Sequence, residues 1–194
     1  MNTLRLITLC TLSVICVPST VSYAAELPHL PYRDWGACPF ECCTYKAWET
    51  TRAVAVHEKP DSSSKPVFTL GAGRSVQGIT GVVITHQAGV TRILKPIEIG
   101  YDSKGKGPLL SLKAGERIYT LHYVGAGHDL FWYRGKIYTD QIALSDDAFG
   151  NISEAPLTIE SRPRTEWWAK IRSDNGHIGW TEVRDNFDHI DACE

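Results

Sequence analysis

Residues 167–180 read WWAKIRSDNGHIGW, and they limit the fold more than any other stretch. Up to Ser173 the pattern has a period of two. In a strand, that period places Trp167, Ala169 and Ile171 on one face and Trp168, Lys170 and Arg172 on the other. One tryptophan is then expected in a core and its neighbour on the outside. Asp174-Asn175-Gly176 follows, and Asn and Gly tolerate the positive φ of a tight hairpin turn. Residues 177–183 read as the returning strand. No stretch of the chain carries sustained helical periodicity. Short β-branched and aromatic runs, separated by Gly and Pro, predict an all-β chain.

The N-terminus has a different character. Arg5 precedes an apolar run over residues 6–17, and Ser22-Tyr23-Ala24 supplies small residues at the −3 and −1 positions of a cleavage site. The run is short for a membrane span, so residues 1–24 are expected to be a signal peptide. No stable membrane insertion is expected after its removal, and the expected location is periplasmic or secreted. The net charge is −2 with no basic stripe, which argues against nucleic acid as a partner.

Of the six cysteines, Cys10 and Cys16 fall in the signal. Cys38, Cys42, Cys43 and Cys193 remain, an even set that reads as two disulfides in an oxidising compartment. Bridging the neighbours Cys42 and Cys43 would strain the backbone, so Cys38 pairs with Cys42, Cys43 or Cys193. We favour one local bridge from Cys38 and one long bridge to Cys193. The spacing offers no zinc motif, and no metal or other cofactor is expected.

In chain order, residues 25–50 form a Cys-containing lead-in, with residues 43–48 alternating as a strand. Residues 52–56 are a short strand before a Pro-bounded polar loop. Residues 76–85 and 90–94 are expected as a hairpin around Gln87-Ala88-Gly89. Residues 130–133 and 136–139 are expected as a second hairpin around Arg134-Gly135. Residues 140–164 read as a long connection, with a helical turn near Ser145-Asp146-Asp147. The pattern L-x-A-G-x-x-V/I occurs twice, from Leu70 to Val76 and from Leu112 to Ile118.

Three segments resemble the bacterial SH3-like (SH3b) domain family: TRAVAVHEKPDSSSKPVFTLGAGRSV, LKAGERIYTLHYV and WWAKIRSDNGHIGW. The last is similar to the family's W-x-K-V-x-(turn)-G-x-x-G-W signature through Trp168, Lys170, Ile171, Gly176, Gly179 and Trp180. The resemblance implies two small, partly open SH3-like β-barrels in tandem, over residues 51–100 and 101–194, the second carrying the insertion at 140–164. The first copy, ending VVITHQAGVTRILKP, lacks the family's tryptophan.

The resemblance also implies a non-enzymatic binding module at the bacterial envelope. Its ligand would be a peptidoglycan stem peptide or an envelope protein. Trp167, Trp168, Trp180 and Tyr133 are the expected groove residues, with Trp132 and Tyr138 as neighbours. Two rivals remain. One is a structural subunit of an envelope complex that uses its edge strands. The other is a small cysteine hydrolase with Cys38 or Cys43 as nucleophile, although the histidines sit in no recognisable motif. His128-Asp129 is read as a solvated turn pair.

Overall fold

The length of one strand dictates the architecture. Residues 75–87 read SVQGITGVVITHQ, β-branched on both faces and free of proline, and they form a single 13-residue strand. A computed structural model describes residues 27–142 and 155–193. The expected signal peptide, the helical turn near Ser145 and residues 143–154 of the 140–164 connection lie outside the described residues. The described chain is all-β: β1 (Tyr32–Trp35), β2 (Ala47–Thr50), β3 (Val54–His57), β4 (Pro66–Leu70), β5 (Ser75–Gln87), β6 (Gly89–Ile93), β7 (Ile97–Ile99), β8 (Leu110–Leu112), β9 (Arg117–Gly125), β10 (His128–Tyr133), β11 (Lys136–Asp140), β12 (Leu157–Ser161), β13 (Arg164–Ser173), β14 (Ile178–Glu182) and β15 (Phe187–Asp188).

These strands make an eight-stranded sheet in the order β15-β2-β5-β13-β14-β3-β4, with β1 also on β5. A five-stranded sheet runs β11-β10-β9-β6-β12, and β7 and β8 pair alone. β13 lies antiparallel along nearly the whole of β5, from Arg164 opposite Gln87 to Ser173 opposite Val76. Strands expected in separate copies, before and after residue 100, therefore share one sheet. The five-stranded sheet comes from the chain between them, so the two sheets are nested in sequence.

Two local expectations give way for the same reason. β5 and β6 do not form a hairpin, because β6 pairs with β9 and β12 instead. The chain changes sheets at Ala88, which is buried. Residues 157–161, expected within the long connection, form β12 against β6. Alternation marks a strand's faces but leaves its partner open. The expected hairpins 130–139 and 167–182 are both present. In the second, Gly176 takes φ +81° and its N–H donates to the Ser173 carbonyl at 2.9 Å.

Each sheet has its own core. The first gathers Trp48, Val54, Val56, Leu70, Val76, Ala169, Ile171, Val183 and Phe187. The second gathers Ile93, Ile99, Leu112, Ile118, Phe131, Ile142 and Leu157. The repeated L-x-A-G pattern serves both: Leu70 and Val76 enter one core, and Leu112 and Ile118 the other. Gly73 and Gly115 make the intervening turns at φ +67° and +90°, where any side chain would be strained.

Between the sheets, the buried Thr85 hydroxyl donates to the Leu121 carbonyl at 2.9 Å. His122 sets Nε2 2.9 Å from Asp34 Oδ2 and Nδ1 2.8 Å from the Tyr123 carbonyl oxygen. Both ring nitrogens face acceptors, so this pair ties β1 to β9.

The disulfides join Cys38 to Cys43 and Cys42 to Cys193, 151 residues apart, in the favoured pattern of one local and one long bridge. The tail is also held by backbone: Thr44 N–H donates to the Ile190 carbonyl at 3.1 Å, and Ala192 N–H to the Cys42 carbonyl at 2.9 Å.

Candidate functional site

The alternation of β13 sends its two tryptophans to opposite faces, as expected, but both faces are covered. Trp167 is half-buried against the first core, with ring centroids 5.8 Å from Phe40, 6.4 Å from Tyr45 and 6.0 Å from Trp48. Its Nε1–H donates to the Tyr45 hydroxyl at 3.2 Å. Gly81 lets this cluster close, since a Cβ there would fall 2.0 Å from the Tyr45 hydroxyl. Trp168 lies on the other face with Val82, Ile84 and Trp180, only 2% exposed.

The expected groove is therefore divided. Trp168 and Trp180 come together, Trp167 is on the reverse side of the sheet, and Tyr133 belongs to the five-stranded sheet. Tyr133 has a partner of its own. Its hydroxyl donates to Glu116 Oε1 at 2.7 Å, and Arg134 contacts the same oxygen at 2.9 Å. Burial and the Glu116 carboxylate push the Tyr133 hydroxyl up to about 12. Tyr138 stacks on Phe131 at 5.7 Å, its cross-strand neighbour.

This arrangement predicts a pH dependence. Burial would raise the Glu116 carboxyl, but the Lys113 N–H, the Tyr133 hydroxyl and the Arg134 charge together hold it below the ordinary carboxylate value. Its stabilising contribution is present above the unfolded pKa and disappears as pH falls through the lower folded pKa. Glu116→Gln is expected to cost about 1–2 kcal/mol at neutral pH, the lower part of what hydrogen bonds to a charged group contribute, because solvent screens the exposed Arg134 partner. Urea unfolding at a series of pH values should show the variant and wild type converging in acid. A constant gap down to the lowest pH would refute the assignment.

A cleft opens beside Trp168. β3 and β14 pair only at His57 and Trp180, and beyond that position they diverge. The gap has a volume of about 200 Å³ and is lined by Ala53, Ala55, His57, Ser62, Trp168 and Glu182, among others. The His57 ring lies edge-on to Trp168 at 5.8 Å. His57 Nδ1 sits 2.8 Å from the Ser64 carbonyl oxygen, so it carries the donated proton and leaves Nε2 as an acceptor in the neutral ring. Glu166 accepts from Trp168 Nε1–H at 3.2 Å and lies 3.2 Å from His86 Nε2. Burial opposes ionisation there, but these contacts and the Arg184 charge hold the Glu166 carboxyl below its ordinary value.

Among the described residues no cysteine keeps a free thiol, because Cys38 and Cys43 are bonded to each other and Cys42 to Cys193. Cys42, Asp191 and Cys193 lie close enough to share an ion, but two of the three sulfur and oxygen donors are the sulfurs of a disulfide and offer no thiolate. His128 Nδ1 bonds to the Ala126 carbonyl at 2.9 Å in its turn. Alternation alone located Trp168. It gave no sign of the cleft, which depends on where β3 leaves β14.

No family model, curated protein or solved structure matches this chain. The disulfides fit a non-reducing, extracytoplasmic setting. Among the described residues, no helix is long and apolar enough to cross a membrane.

Proposed function

We propose that this protein is an exported, periplasmic or secreted binding module that holds a peptide-containing ligand at the bacterial envelope, in the cleft between β3 and β14. One observation carries the reading: two neighbouring strands of one sheet pair at a single position and then part around Trp168. An extended peptide suits a gap between strands, because its backbone meets strand edges while a side chain enters the pocket. Ala53 and Ala55 keep the gap open, and Trp168 and His57 give it a rigid aromatic wall.

The two cores, each entered through a strand–turn–strand of the same pattern, support an SH3-like reading with one unit nested in the other. A peptidoglycan stem peptide is the ligand of first choice, and an envelope protein the second.

The test is co-sedimentation of the oxidised protein with intact peptidoglycan sacculi. Ala55→Trp fills the cleft from an exposed strand position where tryptophan is well tolerated. Wild type is expected to sediment and the variant to lose about ten-fold in affinity. Equal sedimentation of the two would move the site elsewhere. Failure of both would remove peptidoglycan and direct the search to a protein partner.

A further inference from the structure

The face of the eight-stranded sheet that carries Trp168 also carries Trp35, in the stretch before the first disulfide. Trp35 is 59% exposed, an unfavourable state for so large an apolar group. It is nonetheless held firmly. β1 sets it opposite Val82, and the following Gly36 N–H donates to the Gly81 carbonyl at 2.7 Å. Trp35 meets Trp180 edge to face, with centroids 5.8 Å apart and planes at 72°. β5 and β13 lie between their strands, so the rings reach toward each other across Val82 and Trp168. Lys170, directly opposite Trp180, places its Nζ 5.9 Å from the Trp180 ring. Arg172 is exposed one step along the same face, opposite Ile178, itself 44% exposed.

The charges on this face are not balanced. Its acids are engaged: Glu166 with Trp168 and His86, Glu182 with Arg184. Arg33 has the Asp61 charge near it. Among the described residues, no ion pair is formed by Lys170 or Arg172. A rigid exposed indole thus shares a face with two cations that form no ion pair among the described residues.

We infer that this face, centred on Trp35, is a second binding surface that takes an acidic polysaccharide. A sugar ring lays its C–H face on the Trp35 indole, which offers large rigid area with little entropy to lose. The carboxylates along the polymer meet Lys170 and Arg172. This surface adjoins the β3–β14 cleft on the same face, but Trp35, Lys170 and Arg172 do not line the cleft, and the inference does not depend on what the cleft holds. A single-stranded nucleic acid also stacks on aromatics beside cations. Two cations in a chain of net charge −2 give it too little of the phosphate neutralisation on which such binding rests.

The experiment is calorimetric titration of the full oxidised protein with oligogalacturonate, neutral dextran and oligothymidylate. Wild type is expected to bind oligogalacturonate, with affinity falling as salt rises, and to bind dextran at least about ten-fold more weakly. Trp35→Ala is expected to lose about ten-fold for oligogalacturonate with only a small drop in melting temperature, because the side chain is mostly in solvent and gives up one edge-to-face contact. Lys170→Gln with Arg172→Gln keeps the aromatic pair and is expected to abolish the salt dependence. Absence of wild-type binding to oligogalacturonate overturns the proposal, as does a Trp35→Ala variant that binds like wild type. Tighter binding of oligothymidylate would overturn it in favour of nucleic acid.

Discussion

Trp48→Ala is expected to cost about 3–5 kcal/mol, the range for truncating a fully buried aromatic, and to leave the protein at or below the edge of stability. Trp48 is 1% exposed and sits where four strands converge. It lies on β2 opposite Val76 of β5, its ring 5.5 Å from Phe187 of β15 and 6.0 Å from Trp167 of β13. Its Nε1–H donates to the Thr44 carbonyl at 2.9 Å, a bond that alanine leaves unmade. The surroundings are shaped to it: a Cβ at Gly78 would lie 3.2 Å from its ring. Little can collapse into the space, so the cavity contribution is expected in full. Urea unfolding read by near-ultraviolet circular dichroism is the measurement, with Trp35→Ala beside it. Nearly equal losses in the two variants would mean that Trp48 is not the hub of the first core.

The second large effect concerns the long bridge. In the chain-entropy model, closing a loop over a separation of 151 residues contributes about 5 kcal/mol, against about 2 kcal/mol for the Cys38–Cys43 loop with a separation of 5. The double variant Cys42→Ser, Cys193→Ser should therefore melt well below the double variant Cys38→Ser, Cys43→Ser. The tail retains its backbone hydrogen bonds to Thr44 and Cys42 and the short β15–β2 pairing, so the loss is expected to be global destabilisation more than local fraying. Thermal unfolding of the two variants is the comparison. Equal melting temperatures would show that the loop-closure account fails here and that the tail's backbone contacts do most of the anchoring.

What the sequence made legible was local. The hairpin of β13 and β14 was readable because its turn residues and its period of two lie in one short stretch. The two faces of β13 followed from the same period. The repeated L-x-A-G turn was readable because glycine meets a conformational need that other residues meet badly. Partners distant in sequence were hidden. Nothing in residues 76–85 distinguishes a hairpin with β6 from a partnership with β13, and the choice rests on how each face finds a core. Residues 43–48 alternate as one strand would, but β2 begins only at Ala47, so the strand does not extend back through the disulfide segment. Trp35 lay in a proline-bearing lead-in whose pairing with β5 no local pattern announces. The cleft beside Trp168 arises from strand divergence, which a linear pattern does not encode.

The nesting of one sheet inside the other imposes an order on assembly. A chain that emerges N-terminus first exposes β5 early, and β1 and β2 cover one of its edges at once. The other edge, long and β-branched, waits for β13, whose last paired residue is Ser173. Through that interval the five-stranded sheet can form from the intervening chain, while the open edge of β5 is a template for pairing with other molecules. Such distant pairing is slow to find. The most exposed moment in this protein's life is therefore late in synthesis, and a chain that stops short of β13 would present that edge permanently.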